Sequence, residues 1–147
     1  MNFVSSTALR QLLVGFVETL HFWVTLHDAT GGFLASDQYV AGVRGELANG
    51  GGYFRDGAAA ACHFQLADQG SGNLDAADVV LNASGEDIGP AEHYAVWVNA
   101  VNDITANGGA LLIGVKDTGG NPQTASDGNP MTIPISNIIN IPIPIAA

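Results

Sequence analysis

Charged side chains are scarce in this chain, and cysteine is almost absent. Only 12% of the 147 residues are charged, about half the share of an average soluble domain. Cys62 is the single cysteine, so no disulfide can form within the chain. We therefore expect apolar packing to hold the fold together, and we interpret Cys62, next to the alanines at 58–61, as a small buried side chain.

Basic residues are the scarcest charged class. Fourteen acidic residues face only four basic ones, which gives a formal net charge of −10. The four are scattered along the sequence: Arg10, Arg44, Arg55 and Lys116. Nucleic acids and anionic membranes are bound through clustered Lys and Arg, so we expect neither as a partner. No uncharged apolar run reaches eighteen residues, so we expect no transmembrane helix.

Hydrophobic periodicity predicts one helix followed by strands. Leucine, valine and phenylalanine recur at helical spacing over 7–20, after a capping Ser-Ser-Thr, and predict a helix within 5–21. Its Leu9, Leu13, Phe16 and Leu20 are expected to be buried, against this domain or against a neighbour. Alternation then predicts strands over 21–27 and 93–101. Further strands are expected in 38–43, in 53–67 with an Ala-rich bulge or turn in its middle, in 78–83 and in 108–117, the last of them buried. Turns are expected over 84–92 and 118–130.

The C-terminal segment 131–147 alternates isoleucine and proline. Its isoleucines at 133, 135, 139, 141, 143 and 145 are odd-numbered, and its prolines at 134, 142 and 144 are even-numbered. In an extended chain all three prolines would remove N–H donors from the same edge. The pattern therefore predicts an edge strand, or an arm that adds to a neighbouring subunit's sheet.

These elements predict a single mainly-β domain over 1–147. The architecture expected is an antiparallel β-sandwich or jelly-roll-like barrel, with one N-terminal α-helix and an edge or arm-like C-terminal strand. No repeat or linker divides the chain.

The stretch "ELANGGGYFRD" raises the question of a phosphate-binding loop. Its three glycines precede a strand-like segment, and no Lys-Ser or Lys-Thr follows, which favours a tight turn over a nucleotide site. Arg55 and Asp56 are expected to form a local ion pair or an intersubunit contact.

No residue pattern predicts catalysis or a required cofactor. The histidines, at 21, 27, 63 and 93, lack metal-ligand spacing, and structural or surface roles are expected for them. The loop containing Asp117, Asn121, Asp127 and Asn129 leaves calcium open as an alternative, although Asp and Asn are ordinary turn residues. We therefore predict a protein that is not an enzyme, with no metal and no cofactor.

The order of several motifs resembles a family of small virion proteins of tailed bacteriophages. The motifs read, in order, "ALRQLLVGFVETLHFWVTLHDA", "NGGGYFRD", "EHYAVWVNAV", "GGALLIGV" and "PMTIPISNIINIPI". They cover most of the chain, and Phe54 stands where that family commonly has a small residue. The resemblance implies a structural protein of the virion, assembled in the bacterial host cytoplasm.

Within that resemblance, we predict a capsid cement or decoration protein that binds the major capsid protein or other virion proteins. It is expected to form a homo-oligomer, with a trimer favoured. The alternatives are a tail or tail-fibre-base protein, a carbohydrate- or receptor-binding β-module marked by exposed Trp23, Trp97 or Tyr53, and a small hydrolase. The candidate intersubunit contacts are Tyr53, Phe54, Arg55, Ile139, Ile141, Ile143 and Ile145.

Overall fold

A computed structural model describes residues 5–40 and 45–144, and in them the chain is mainly β with one α-helix, as predicted. The helix is α1 (Ser6–Val17). The strands of these residues are β1 (His21–His27), β2 (His63–Phe64), β3 (Ala67–Asp68), β4 (Asn73–Asp75), β5 (Val79–Asn82), β6 (Ile88–Ala91), β7 (His93–Asn99), β8 (Leu111–Asp117), β9 (Gln123–Ala125), β10 (Pro130–Ile133) and β11 (Ile141–Pro142).

The strands of the described residues form antiparallel sheets, and no sheet there closes into a barrel. The central sheet has the order β2-β1-β7-β8. Three smaller sheets pair β10 with β5, β11 with β4 and β3, and β6 with β9. The central sheet thus has β2 and β8 at its edges, and the smaller sheets pack beside it in a sandwich-like arrangement.

The pairing of β1 with β7 is the centre of the fold. Their register runs without a break from His21 opposite Asn99 to His27 opposite His93. Phe22, Val24 and Leu26 enter the main core on one face, whereas Trp23 packs with Trp97 in a second cluster on the other. Both faces of the two strands are therefore covered, which accounts for their nearly continuous apolar sequence.

Helix α1 was predicted correctly, but its apolar stripe is only partly buried. Ser5 caps it by accepting a hydrogen bond from the amide of Ala8 at 3.3 Å. Val17 is buried, and Leu13, Val14 and Leu20 pack partly against the main core. Leu9 and Phe16 are exposed in the single chain, because α1 lies on the domain's surface with only one face against it, so these two are not buried against this domain; their burial against a neighbour stays a prediction.

The C-terminal segment is not the continuous strand that the isoleucine and proline pattern predicted. A 3-10 turn at Ile135–Asn137 separates β10 from β11. Strand β10 pairs with β5 and β11 pairs with β4, so each has one neighbour in the described part of the chain. Ile143 is buried in the main core, which makes the segment part of this domain and not an arm free for a neighbour. Residue 145 lies outside the described residues.

Other predicted elements are shifted by pairing between distant segments. Residues 55–62 form two short 3-10 turns ahead of β2, so the turn predicted in the Ala-rich middle of 53–67 is present but the strand expected before it is not. The predicted turns contain β6 and β9, which pair with each other. Gly89 permits this contact, because a Cβ there would lie 2.6 Å from the carbonyl oxygen of Gln123. Gln38 forms a single bridge with Leu111, and the rest of the strand predicted at 38–43 lies partly outside the described residues.

Candidate functional site

The triple glycine of "NGGGYFRD" forms a tight turn, as predicted. Gly51 and Gly52 have φ angles of 61° and 97°, a conformation that glycine adopts without strain. A Cβ on Gly51 would lie 2.7 Å from the carbonyl oxygens of Glu86 and Asp87, so the turn also needs glycine for close packing. The turn leads into a 3-10 turn of three residues, Arg55–Gly57, which offers no helix N-terminus for a phosphate.

A buried carboxylate, Glu46, lies behind this turn. Glu46 is 3% exposed, and its two oxygens accept hydrogen bonds from the phenols of Tyr39 at 2.7 Å and Tyr53 at 2.8 Å. The amide of Asp56 donates a third bond at 3.0 Å. The single phenolic hydrogen of Tyr39 is shared with Asp56 Oδ1, so Glu46 has two full donors, Tyr53 and the Asp56 amide, and a shared third. These bonds offset the cost of burying the carboxyl group, so the cluster braces the fold.

The phenols of this cluster are held in their neutral form. Burial raises the pKa of Tyr39, and its hydrogen bonds to Asp56 and Glu46 raise it further. Burial also raises the pKa of Tyr53, assisted by the charge of Glu46. Both hydroxyls therefore remain donors at neutral pH, which suits bracing and not proton transfer.

Arg55 fastens the same segment from outside. Its guanidinium donates to the carbonyl oxygens of Leu47 and Glu46, both at 3.0 Å, and its amide donates to Asn49 Oδ1 at 2.7 Å. These bonds hold the Arg55 side chain against its own chain. The sequence left open a local ion pair with Asp56 or an intersubunit contact; the bonds of Arg55 are local, but they go to backbone carbonyls.

The histidines bond mostly to their own sheet. His27 is buried, with Nε2 2.7 Å from Thr25 Oγ1, which also accepts from Trp97 Nε1 at 2.7 Å. His21 Nδ1 lies 3.1 Å from His63 Nε2, across the β1–β2 pair. Burial and the charge of His21 lower the pKa of His63. Among the described residues, no group of three or more His, Cys, Asp and Glu side chains is placed to hold a metal.

Cys62 lies in the main core, fully buried. Burial, together with the charge of Glu46, raises the pKa of its thiol to about 12. The thiol is therefore protonated at neutral pH and behaves as the small apolar side chain that the sequence predicted.

The acidic residues of the 117–129 loop cap turns. Asp117 Oδ1 accepts from the amide of Gly119 at 2.6 Å, and Asp127 Oδ1 accepts from the amide of Gly85 at 2.8 Å. Asp87 in turn accepts from the amide of Asp127 at 2.8 Å. These bonds are the turn-forming role expected of Asp and Asn in loops.

The candidate intersubunit contacts differ in how far the chain itself buries them. Tyr53 and Ile143 are buried within the chain, so their side chains are not exposed on its surface. Phe54 is 50% exposed. Ile139 and Ile141 pack partly against the main core. Ile145 lies outside the described residues.

Two apolar surfaces were not identified as exposed in the sequence analysis. The first, the α1 stripe, consists of Leu9, Leu12 and Phe16, with Leu12 72% and Phe16 64% exposed. The three share one helix face, since they are separated by three and four residues. Periodicity found this stripe but could not tell that the face beside it meets the core.

The second surface, the β8 groove, lies between strand β8 and the loop at 31–35. It has a volume of about 480 Å³, and its apolar lining includes Phe33, Leu34, Ile113 and Val115. Sequence reasoning took "GGALLIGVKD" for a buried strand, but β8 is an edge strand with Leu111, Ile113 and Val115 exposed. These side chains are exposed because β8 is the last strand of the central sheet. A local sequence pattern does not show where a strand lies in its sheet.

In the described part of the chain, no helix has the length and apolar character needed to cross a membrane. No protein-family model matches the chain, and neither a curated protein nor a solved structure matches it significantly.

Proposed function

We propose that this chain is a structural protein of a tailed-bacteriophage virion, and specifically a cement or decoration protein that binds the head shell as a homo-oligomer. The observation that carries the proposal is the pair of exposed apolar surfaces, the α1 stripe and the β8 groove, on a chain with few charges. The order of sequence motifs that resembles small virion proteins supports it independently.

Exposed apolar surface of this kind is typical of proteins that assemble. Monomeric soluble proteins seldom leave large side chains grouped on their surface. In the α1 stripe, Leu12 and Phe16 are each more than half exposed although the helix also has a face against the core. We assign the stripe to contacts between copies of the chain and the β8 groove to the shell.

The alternatives receive less support from the same residues. Glycan-binding modules stack sugars on exposed aromatic rings, whereas Trp23, Trp97 and Tyr53 are all buried here. A hydrolase would need reactive groups that a substrate can reach. The carboxylate of Glu46, the phenols of Tyr39 and Tyr53 and the thiol of Cys62 are buried or hydrogen-bonded within the fold. A tail protein would use the same two surfaces. Only the identity of the virion protein that binds them distinguishes a tail location from a head location.

The proposal is tested by the mass of the purified chain and by its sedimentation with purified head shells that lack it. We expect an oligomer, with a trimer favoured, that sediments with the shells. Leu12→Glu should weaken the oligomer, because it places a charge in the α1 stripe. Val80→Glu is the matched control, since Val80 is exposed on β5, outside both surfaces. A chain that stays monomeric at high concentration and ignores the shells contradicts the proposal.

A further inference from the structure

Strand β8 is covered on its outer edge over only part of its length. The segment at 37–39 pairs with its first part, where the amide of Leu112 donates to the carbonyl oxygen of Asp37 at 3.0 Å. A turn then takes the chain away: the amide of Asp37 bonds the carbonyl of Leu34 at 2.9 Å, and the amide of Leu34 bonds Asp37 Oδ2 at 2.7 Å. Beyond Leu112, no bond from another described residue to this outer edge is found.

The hydrogen-bond pattern identifies the backbone groups on that open edge. In antiparallel strands, hydrogen-bonded pairs alternate with pairs whose N–H and C=O groups point outward. The amide of Thr118 donates to the carbonyl of Glu92 at 2.9 Å, so that pair is hydrogen-bonded across β7 and β8. Val115 and Asp117, opposite Ala95 and His93, therefore belong to the alternate pairs, and their N–H and C=O groups point away from β7.

The β8 groove lies beside these outward-pointing groups. Leu34, Ile113 and Val115 give it exposed apolar walls. Asp117 stands at one end, with its side chain 65% exposed although Oδ2 lies 3.7 Å from His93 Nδ1. An extended segment along the edge would bond Val115 and Asp117, place apolar side chains in the groove, and set a basic side chain near Asp117.

A second copy of this chain is a poor source of that basic side chain. Among the described residues, Arg10 is bonded to Asp68 and to the carbonyl of Pro144, and Arg55 to two carbonyls. Lys116 lies within β8 itself and Arg44 lies outside the described residues, and with fourteen acidic residues against four basic ones a second copy has few cations to bring to Asp117. Charge complementarity therefore favours a different protein that brings its own Lys or Arg.

We propose that an extended segment of another virion protein, with alternating apolar side chains and one Lys or Arg, adds to β8 as an antiparallel or parallel strand at Val115–Asp117. This inference rests on the proposed function, and it specifies where and by what chemistry the shell is bound. The backbone supplies the hydrogen bonds, and the groove selects the side chains.

Hydrogen exchange tests the open edge residue by residue. In the free protein, the amides of Gly114 and Lys116 should exchange slowly, because they face β7, and those of Val115 and Asp117 should exchange fast. In complex with purified head shells that lack this chain, the amides of Val115 and Asp117 should become protected. Unchanged exchange at these two amides in the complex would overturn the inference.

A proline substitution tests the same edge through its effect on binding to the head shells. Val115→Pro removes an outward N–H and leaves the bonds to β7 intact, whereas Val115→Thr keeps the N–H and the branched shape. We expect Val115→Pro to weaken sedimentation with the shells about tenfold or more, because a partner carbonyl loses its donor. Val115→Thr should change it less than about twofold. Asp117→Lys should weaken it about threefold at low salt and less at high salt.

The outcomes separate this inference from the proposed function. Shells that bind the wild type and Val115→Pro equally overturn the edge inference and leave the cement proposal standing. Shells that bind neither protein overturn both. A loss of the homo-oligomer with unchanged shell binding would assign the edge to a second copy and contradict the proposed occupant. If Val115→Pro does not fold, the amide protection of Val115 and Asp117 in the wild-type complex decides.

Discussion

The "NGGGYFRD" segment, which stood out most clearly in the sequence, is held in place by contacts of single residues. Glu46, unremarked in the sequence, turns out to organise "NGGGYFRD", because Tyr53 and Asp56 both donate to its Oε1. The turn itself was predictable, since consecutive glycines before aromatic residues are typical of positive φ angles. The carboxylate at its centre was not, because no local pattern indicates which acidic residue is buried.

Removing one donor to Glu46 should be costly. Tyr53 Oη donates to Glu46 and accepts from the amide of Leu26 at 3.1 Å, so Tyr53→Phe leaves two buried groups short of a partner. We expect a loss of about 1–3 kcal/mol in the free energy of unfolding, measured by denaturant titration. Tyr94→Phe is the control, a buried tyrosine for which no hydroxyl bond within the described residues is found. Equal losses in the two variants would contradict the bracing role of Glu46.

The His21–His63 pair should make stability fall in mild acid. The folded chain holds the pKa of His63 below its ordinary value of 6.5, so the unfolded chain binds the proton more readily. This contribution is present above about pH 6.5 and is lost as the pH falls below it. Denaturant midpoints at pH 8 and pH 5 should differ less in His63→Gln than in the wild type. An unchanged difference would show that other groups carry the pH dependence.

Elements were predictable where their own period decides them. Strands β1 and β7 and helix α1 follow from alternation and helical spacing, and all three are present at nearly the expected bounds. The elements that depend on distant partners were not predictable. Strands β6 and β9 lie in glycine- and proline-rich sequence and exist through their pairing with each other. The C-terminal isoleucines kept their apolar role, but the turn at Ile135–Asn137 breaks the assumed extended chain.

The same substitution should cost much more stability on one face of α1 than on the other. Leu13 packs partly against the main core, whereas Leu12, its neighbour, is largely exposed. Leu13→Asp should lower the free energy of unfolding by about 2 kcal/mol or more, and Leu12→Asp by less than about 0.5 kcal/mol. Thermal melting at a concentration where the chain is monomeric measures both. A loss from Leu12→Asp that matched that of Leu13→Asp would contradict the orientation of the helix.

For the whole molecule, composition and surface agree. With few charges and a net charge of −10, the chain has few basic side chains with which to bind a polyanion. The α1 stripe and the β8 groove leave apolar side chains exposed on its surface instead. The scarcity of charge is evident from the composition, but the positions of these two surfaces depend on which helix face meets the core and on which strand ends the central sheet. The candidate site was therefore the least predictable part of the molecule.

The salt dependence of shell binding tests the central claim most directly. Screening weakens contacts between charges and leaves apolar burial and backbone hydrogen bonds largely intact. Purified chain should sediment with head shells that lack it, saturably, and its affinity should change only a few-fold between low and high salt. Absence of binding, or binding that high salt abolishes, would contradict the account of this chain as a shell protein held by apolar and backbone contacts.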